Sequence, residues 1–233
     1  MKSYMKILLA SVSFAFLLLS AIGAKAQNKV VREIDPFDKV VVNDNMNVVF
    51  IKSEKERITI LAEGIGYDKI VTESSGRELK IKLKTGIYNN TKIDVEVEYV
   101  KLRSVEAGNK IDVKFNEPLT GDQLDLKATG GAVINVEVDV NALKANLSNG
   151  GRIEISGKTE LQEVSADIGA KYNGYELESE NGFIKSNTNA DVVVWVKNKL
   201  EATAGSKAIL KYRGKPAEVK SSTNLGGKIS GDL

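Results

Sequence analysis

The sequence contains no histidine and no cysteine among its 233 residues. These absences exclude Ser-His-Asp and Cys-His nucleophile systems, histidine-bound catalytic zinc, thiolate metal centres and disulfide scaffolds. Aromatic residues are scarce at 6%, and only one of them is tryptophan. Hydrophobic residues nevertheless make up 42% of the chain and charged residues 27%, a composition that can bury a core. Any catalysis would have to come from carboxylates, lysine, tyrosine or serine.

A long uncharged apolar run occurs once, from Ile7 to Ile22, over 16 residues. Lysines precede it and Ala-Lys-Ala at 24–26 follows it, an arrangement typical of a secretory signal peptide cleaved before Gln27. The run is shorter than the ~20 residues that a membrane-spanning helix needs, which disfavours an anchor. We therefore predict a signal peptide over residues 1–26 and an exported mature chain without a transmembrane segment. Its expected location is the periplasm, the outer surface or the extracellular space.

The predicted signal peptide also carries the positive charge of the chain. The full sequence has 33 basic and 31 acidic residues, and three of the lysines lie in residues 1–26, which hold no acid. No basic run remains in the mature chain, so we expect no nucleic-acid partner. The sequence also lacks an EF-hand loop, a glycine-rich calcium repeat, a P-loop and a dinucleotide fingerprint, so neither a metal nor a cofactor is expected.

Beyond the signal peptide, hydrophobic residues recur with a period of two, which indicates β-strands. Turn-forming pairs such as Asp44-Asn45 separate the predicted strands. In the first part of the mature chain these strands are Val40–Val42, Val48–Ile51, Arg57–Leu61, Leu79–Leu83 and Ile93–Tyr99.

The second part of the chain repeats with a period of about 20 residues. Each repeat begins with a pair of small or turn-forming residues, and in most repeats apolar residues follow three and five positions after the first of them. The pairs are Gly108-Asn109, Gly131-Ala132, Gly150-Gly151, Gly169-Ala170, Asn189-Ala190, Gly205-Ser206 and Gly226-Gly227, at steps of 23, 19, 19, 20, 16 and 21 residues. Such units cannot bury their inward faces alone but can do so by stacking. The repeats therefore favour an all-β parallel β-solenoid over a β-sandwich, whose strands also recur at short intervals.

The same pattern predicts how the chain is divided. Residues 27–100 form an N-terminal β-strand region stacked on the solenoid, and residues 101–233 form the repeat β-solenoid. One repeat should be distorted, because Tyr172 and Gly174 occupy its two apolar positions.

Several turn motifs within the repeats are recognisable. They are Thr-Gly-Gly-Ala at 129–132, Asn-Gly-Gly-Arg at 149–152, Ile-Gly-Ala-Lys at 168–171, Ala-Gly-Ser-Lys at 204–207 and Leu-Gly-Gly-Lys at 225–228. With the opening Phe37-Asp38-Lys39-Val40 and the closing Tyr212-Arg213-Gly214-Lys215-Pro216, this succession resembles the auto-transporter adhesin family with the head GIN domain. The resemblance implies a right-handed parallel β-helix similar to pectin-lyase-like folds, and a role in adhesion without catalysis. It implies no set of functional residues.

The candidate site comes from the outward positions of the repeats. Because side chains alternate along a strand, the fourth and sixth positions counted from each turn should face solvent. In the late repeats these positions hold Val193 and Ile209 at position four, and Tyr175 and Trp195 at position six. Since stacked rungs lie about 4.8 Å apart, the four side chains are predicted to form one apolar, partly aromatic patch that contacts a sugar or a protein.

Acidic residues give a weaker signal for chemistry. Those in the repeats fall mostly at outward positions, where solvation explains them, as for Asp112, Glu137, Asp139, Glu154 and Glu176. No paired-carboxylate spacing typical of glycoside hydrolysis stands out, so no catalytic residue is assigned.

Three functions stay open at this point. The first is a secreted, non-enzymatic, adhesin-like protein that binds an unknown protein or glycan at a cell surface or in the envelope. The second is a carbohydrate-active enzyme, a polysaccharide lyase or hydrolase, on a β-helix scaffold. The third is a structural envelope protein, and a homo-oligomer is compatible with each. An enzyme should show converging carboxylates with an arginine in one groove, whereas a binding protein should show an exposed aromatic patch without them.

Overall fold

A computed structural model describes residues 29–231, so the predicted signal peptide lies outside the described residues. Within 29–231 the chain forms 17 strands, a single 3-10 turn at Tyr67–Lys69 and no α-helix. The strands are β1 Lys29–Glu33, β2 Lys39–Asn43, β3 Asn47–Lys52, β4 Arg57–Glu63, β5 Ile70–Ser75, β6 Glu78–Leu83, β7 Lys92–Tyr99, β8 Ser104–Gly108, β9 Asp112–Phe115, β10 Leu119–Thr129, β11 Val133–Ser148, β12 Arg152–Ala166, β13 Lys171–Ser186, β14 Asp191–Ala204, β15 Ile209–Arg213, β16 Glu218–Thr223 and β17 Lys228–Ser230. All five strands predicted for the first part of the mature chain are confirmed, while β1 and β5 were not predicted.

The strands stack as a parallel β-solenoid of about 7 turns, which confirms the predicted fold class. From β10 to β14, each strand pairs in parallel with the strand one turn further along the chain. The long strands β11 to β14 each contain two halves joined by a bend, where pairing is interrupted at residues such as Asn141 and Glu160. We call the half that follows a corner the first half, and the half that leads to the next corner the second half.

At eight corners in residues 29–231, two successive residues take positive φ. These pairs are Asp44-Asn45, Asn109-Lys110, Gly130-Gly131, Asn149-Gly150, Ile168-Gly169, Thr188-Asn189, Ser206-Lys207 and Leu225-Gly226. The residue after the pair donates its N–H to the carbonyl of the residue before it in most corners, as Ala132 does to Thr129 at 3.1 Å. Positive φ at both central residues is the mark of a type I′ turn, which glycine and asparagine adopt most readily.

The corners also stack on one another. The second residue of a corner donates its N–H to the carbonyl of the first residue in the next corner, as Gly150 does to Ile168 at 3.0 Å. The residue that follows each corner points inward and is small in most rungs, so neighbouring corners can approach closely. Ala132, Gly151, Ala170, Ala190 and Ala208 occupy this position, and all are buried.

The positions of the corners show that two repeats were aligned with their neighbours two residues out of register. Gly108 and Gly205 lie one residue before the left-handed pair, whereas Gly131 is the second residue of its pair. Glycine at the earlier position leaves room for a neighbouring side chain, since a Cβ on Gly108 would lie 2.5 Å from Asn43 Oδ1. Ile209 consequently pairs with Asp191, and not with Val193 as the repeat pattern predicts. Asp112 likewise pairs with Val133, so inward and outward positions are as predicted but two rungs are displaced by two residues.

The N-terminal strands continue the stack out of chain order. The corner pair β2 and β3 lies between β6 and β7 on one side and β8 and β9 on the other, all in parallel. The antiparallel strands β4 and β1 then extend the sheet beyond β7, and β5 pairs antiparallel with β6. These antiparallel strands cover the N-terminal end of the solenoid.

Asp38, at the start of β2, connects β2 to the neighbouring strands β6 and β8 through two arginines. Its carboxylate accepts hydrogen bonds from Arg77 Nε at 2.8 Å and Arg103 Nε at 2.9 Å, and the arginines lead into β6 and β8. Burial alone would raise the pKa of Asp38, but the hydrogen bonds and charges of the two arginines together outweigh it, so the pKa lies below its usual value.

The C-terminal rung, formed by β16 and β17, pairs with β14 and β15. Every residue of β16 is exposed, because no described strand covers its other side. Among the described residues, no helix is long and apolar enough to cross a membrane.

Candidate binding groove on the solenoid

An open groove of about 710 Å³ runs along one side of the solenoid. It crosses the outward face of the first halves of successive rungs, from the segment after β9 to β15. We call it the lateral groove, and it is lined by Phe115, Asn116, Glu117, Pro118, Asn135, Val136, Glu137, Glu154, Ile155, Ser156, Asn173, Tyr175, Glu176, Val193 and Lys211.

Its floor is a ladder of side chains in register. Asn135, Glu154, Asn173, Val193 and Lys211 are direct partners from one rung to the next. All five side chains leave the same face: Asn135, Glu154, Asn173 and Val193 each lie between two buried residues, and Lys211 lies between buried Leu210 and partly buried Tyr212. The groove therefore offers an amide or carboxylate on three successive rungs, about 4.8 Å apart.

A second row of polar side chains lies beside the floor. Glu137 pairs with Ser156, and Ser156 pairs with Glu176 on the following rung. With Glu117 and Glu154, four carboxylates line the groove against one ammonium group, that of Lys211. A ligand that carries negative charge would meet net repulsion here.

The aromatic wall of the groove is a bulge in β13. The register shifts between Glu154 and Ser156 on β12 and again between Gly174 and Glu178 on β13, which confirms the distorted repeat. Gly174 has no side chain, and its space is filled by the buried ring of Tyr172, which lies 2.8 Å from where a Cβ would be. The bulge pushes Tyr175 outward, where 40% of it is exposed, and its N–H donates to Asn173 Oδ1 at 3.2 Å.

Arg213 holds this aromatic wall from the side. Its guanidinium lies 3.7 Å from the ring of Trp195 and 4.2 Å from the ring of Tyr175. A cation placed against aromatic faces is attracted to them, and Arg213 Nε has no hydrogen-bond partner among the described residues. Arg213 therefore connects Tyr175 and Trp195 through a cation–π contact with each ring.

A buried polar network supports the bulge from inside. Gln162 Nε2 donates to Ser179 Oγ at 2.6 Å and to the carbonyl of Trp195 at 3.1 Å, and Ser179 Oγ donates to the same carbonyl at 2.7 Å. The Tyr172 hydroxyl donates to Gln162 Oε1 at 3.2 Å. Burial raises the pKa of Tyr172, so its hydroxyl stays protonated and can donate. The network fixes the irregular register of β13 against β14.

The four predicted contact residues occupy different surroundings. Tyr175 and Val193 line the lateral groove, whereas Trp195 lies beside it, partly covered by Arg213. Ile209 is 39% exposed but lies in the row next to the corner, outside the groove lining. Arg213 was not predicted, because its place opposite Trp195 depends on the corrected phase of the rung at Ser206-Lys207.

Carboxylates in the groove are the remaining chemical feature. Glu154 forms a 3.9 Å ion pair with Arg152 on its own strand. In residues 29–231 no group of three or more acidic side chains is placed to hold a metal ion. The chemistry that the groove offers is thus hydrogen bonding by amides and carboxylates beside an exposed aromatic ring.

These features define a parallel β-solenoid with a lateral, polar, aromatic-walled groove. A sequence model described as "Putative auto-transporter adhesin, head GIN domain" matches residues 36–216, and the chain belongs to this family. A comparison with curated proteins found no match.

Solved structures share the fold at low sequence identity. A putative adhesin from Bacteroides fragilis is 17% identical with a TM-score of 0.77, and the match covers 89% of this chain and 98% of that one. A putative adhesin from Parabacteroides merdae is 18% identical with a TM-score of 0.72, covering 91% and 98%. A structure from Parabacteroides distasonis, titled a putative lipid binding protein, is 16% identical with a TM-score of 0.67, covering 89% and 98%.

Proposed function

We propose that this protein is an exported, non-enzymatic, adhesin-like binding protein that recognises a protein or glycan at a cell surface or in the envelope. The observation that carries the proposal is the lateral groove, in which exposed Tyr175 stands beside a ladder of polar side chains. Family membership supports the adhesin-like role. We assign partner contact to Tyr175 and Val193 in the groove and to Trp195 and Ile209 outside its lining, with Arg213 contacting the two aromatic rings.

Binding of the mature chain to immobilised glycans and matrix proteins tests this proposal. Tyr175→Ala should weaken binding to the target found in that screen. The matched control is Phe183→Ala, because Phe183 is 38% exposed on the second half of the same strand, away from the groove. Equal binding by the two variants would contradict recognition through the lateral groove.

Export is a separate part of the proposal. The charge and small-residue pattern of residues 1–26 supports cleavage before Gln27. Mass analysis of the exported protein should find Gln27, or its cyclised form, at the N-terminus. Retention of Met1 in a membrane fraction would contradict this location.

A carbohydrate-active enzyme is the alternative that one observation favours. Glu137 and Glu176 lie in one row with Ser156 between them, two rung spacings or about 10 Å apart along the backbone. Carboxyl groups of inverting glycosidases are about 6.5–9.5 Å apart, so the side chains would have to lean together. Release of reducing ends or unsaturated products, abolished by Glu137→Gln or Glu176→Gln, would establish this alternative and refute the non-enzymatic role. A structural envelope protein would show neither binding nor turnover.

A further inference from the structure

We infer that the lateral groove binds an uncharged polysaccharide laid along the solenoid axis. This inference rests on the proposed recognition role of the groove and adds the chemical class of the ligand. It depends on the repeat of the floor, the charge of the lining and the pairing of the floor strands on both sides.

The floor repeats at a distance that suits a sugar chain. Asn135, Glu154 and Asn173 present planar hydrogen-bonding groups on consecutive rungs. One rung is about 4.8 Å high, which is comparable to the length of one hexose in an extended chain. Successive sugars can therefore meet an amide or a carboxylate on each rung, while Tyr175, which is 40% exposed, offers part of its ring to the C–H face of a sugar.

The charge of the lining selects among glycans. Four carboxylates and one ammonium group line the groove, so a polyuronate or sulfated chain would be repelled, whereas hydroxyl groups can donate to the carboxylates. The negative charge of the lining therefore disfavours acidic polysaccharides as ligands of the groove.

An extended peptide is a poorer fit. Strand addition requires an unpaired edge, but the five floor residues on β11 to β15 each have a partner on both neighbouring strands. Recognition must then come from side chains alone, which suits hydroxyl-rich ligands.

Glycan binding by the mature full-length chain tests the inference. The probes are neutral glucans, mannans and xylans, with polygalacturonate and poly-lysine as charged alternatives. At least one neutral glycan should bind, and Tyr175→Ala and Asn135→Ala should each weaken it by about tenfold. Phe183→Ala and Asn146→Ala are matched controls on the second halves of β13 and β11, and they should bind as the unchanged protein does.

Two other outcomes separate this inference from the proposed function. If polygalacturonate, poly-lysine or a protein target binds with Tyr175 dependence and no neutral glycan does, the ligand class is wrong while recognition through the groove stands. If every target that binds is indifferent to the Tyr175 and Asn135 variants, both proposals fail. Circular dichroism of each variant establishes that lost binding does not come from lost folding.

Discussion

Two adjacent glycines at one corner should respond very differently to alanine. Gly150 has φ of 74°, and a Cβ added there would meet open space, with no atom within 4 Å. Gly151 has an ordinary φ, but a Cβ there would lie well under 3.0 Å from the carbonyl oxygen of Ala128 on the preceding rung. Gly150 is therefore required by the backbone conformation, whereas Gly151 is required by the close packing of two rungs.

The expected costs follow from these two causes. Gly150→Ala places a side chain on a left-handed residue, which costs about 1 kcal/mol. Gly151→Ala forces two rungs apart at the corner, and overpacking together with weakened ladder hydrogen bonds should cost about 3 kcal/mol or more. The repeat alone suggests the opposite, because the equivalent position holds alanine in Ala132 and Ala170.

Equilibrium urea unfolding measures the difference. The transition should be followed by far-UV circular dichroism and by the fluorescence of the single tryptophan, since coincident curves justify a two-state free energy of unfolding. Gly150→Asn is a control for the first position, because asparagine takes positive φ readily and Asn189 does so at the equivalent place. If Gly151→Ala unfolds at the same urea concentration as Gly150→Ala, the packing explanation is wrong.

Four further results are expected. Gln162→Ala should cost about 3 kcal/mol because it leaves a buried tyrosine hydroxyl unpaired, whereas exposed Gln123→Ala should be nearly neutral in the same urea titration. Trp195→Ala should cost about 2 kcal/mol, and a double-mutant cycle with Arg213→Ala should give a coupling of about 1 kcal/mol; zero coupling would show that the stacking contributes nothing. The lowered pKa of Asp38 means that its contribution is present above its unfolded pKa of about 3.9 and is lost as pH falls through that value towards the folded pKa. The stability difference between the unchanged protein and Asp38→Asn, about 1–2 kcal/mol at pH 7, should accordingly shrink below about pH 4, and a constant difference would contradict the assignment. EDTA should leave the melting temperature unchanged, and a drop of more than a few degrees would reveal a metal site.

Much of the fold could be predicted because it is local and periodic. Alternation between apolar and polar residues determines which side chains point inward, and this parity is correct even in the two displaced repeats. Tyr172 and Gly174 correctly marked the distorted rung, since a large ring and a missing side chain cannot both fit a regular apolar ladder.

The candidate site could be predicted only in part. Outward exposure of Tyr175 follows from alternation, but its position in the groove depends on the extra residues of the bulge. The contact of Arg213 with Trp195 depends on the corner being formed by Ser206-Lys207. The sequence pattern instead predicts a corner pair at Gly205-Ser206, because it relies on the position of the glycine.

The sequence by itself thus determined the strand period, the stacked architecture and the residue types that chemistry here can use, because these depend on neighbours along the chain. Only the tertiary structure decided which residues of the two displaced repeats are equivalent to those of the neighbouring rungs. A shift of two residues preserves the inward and outward pattern, so periodicity cannot detect it, yet it changes every neighbour across the stack. Lys211 joins the polar ladder of the groove, and Arg213 contacts both aromatic rings, because non-local packing selected one of these registers.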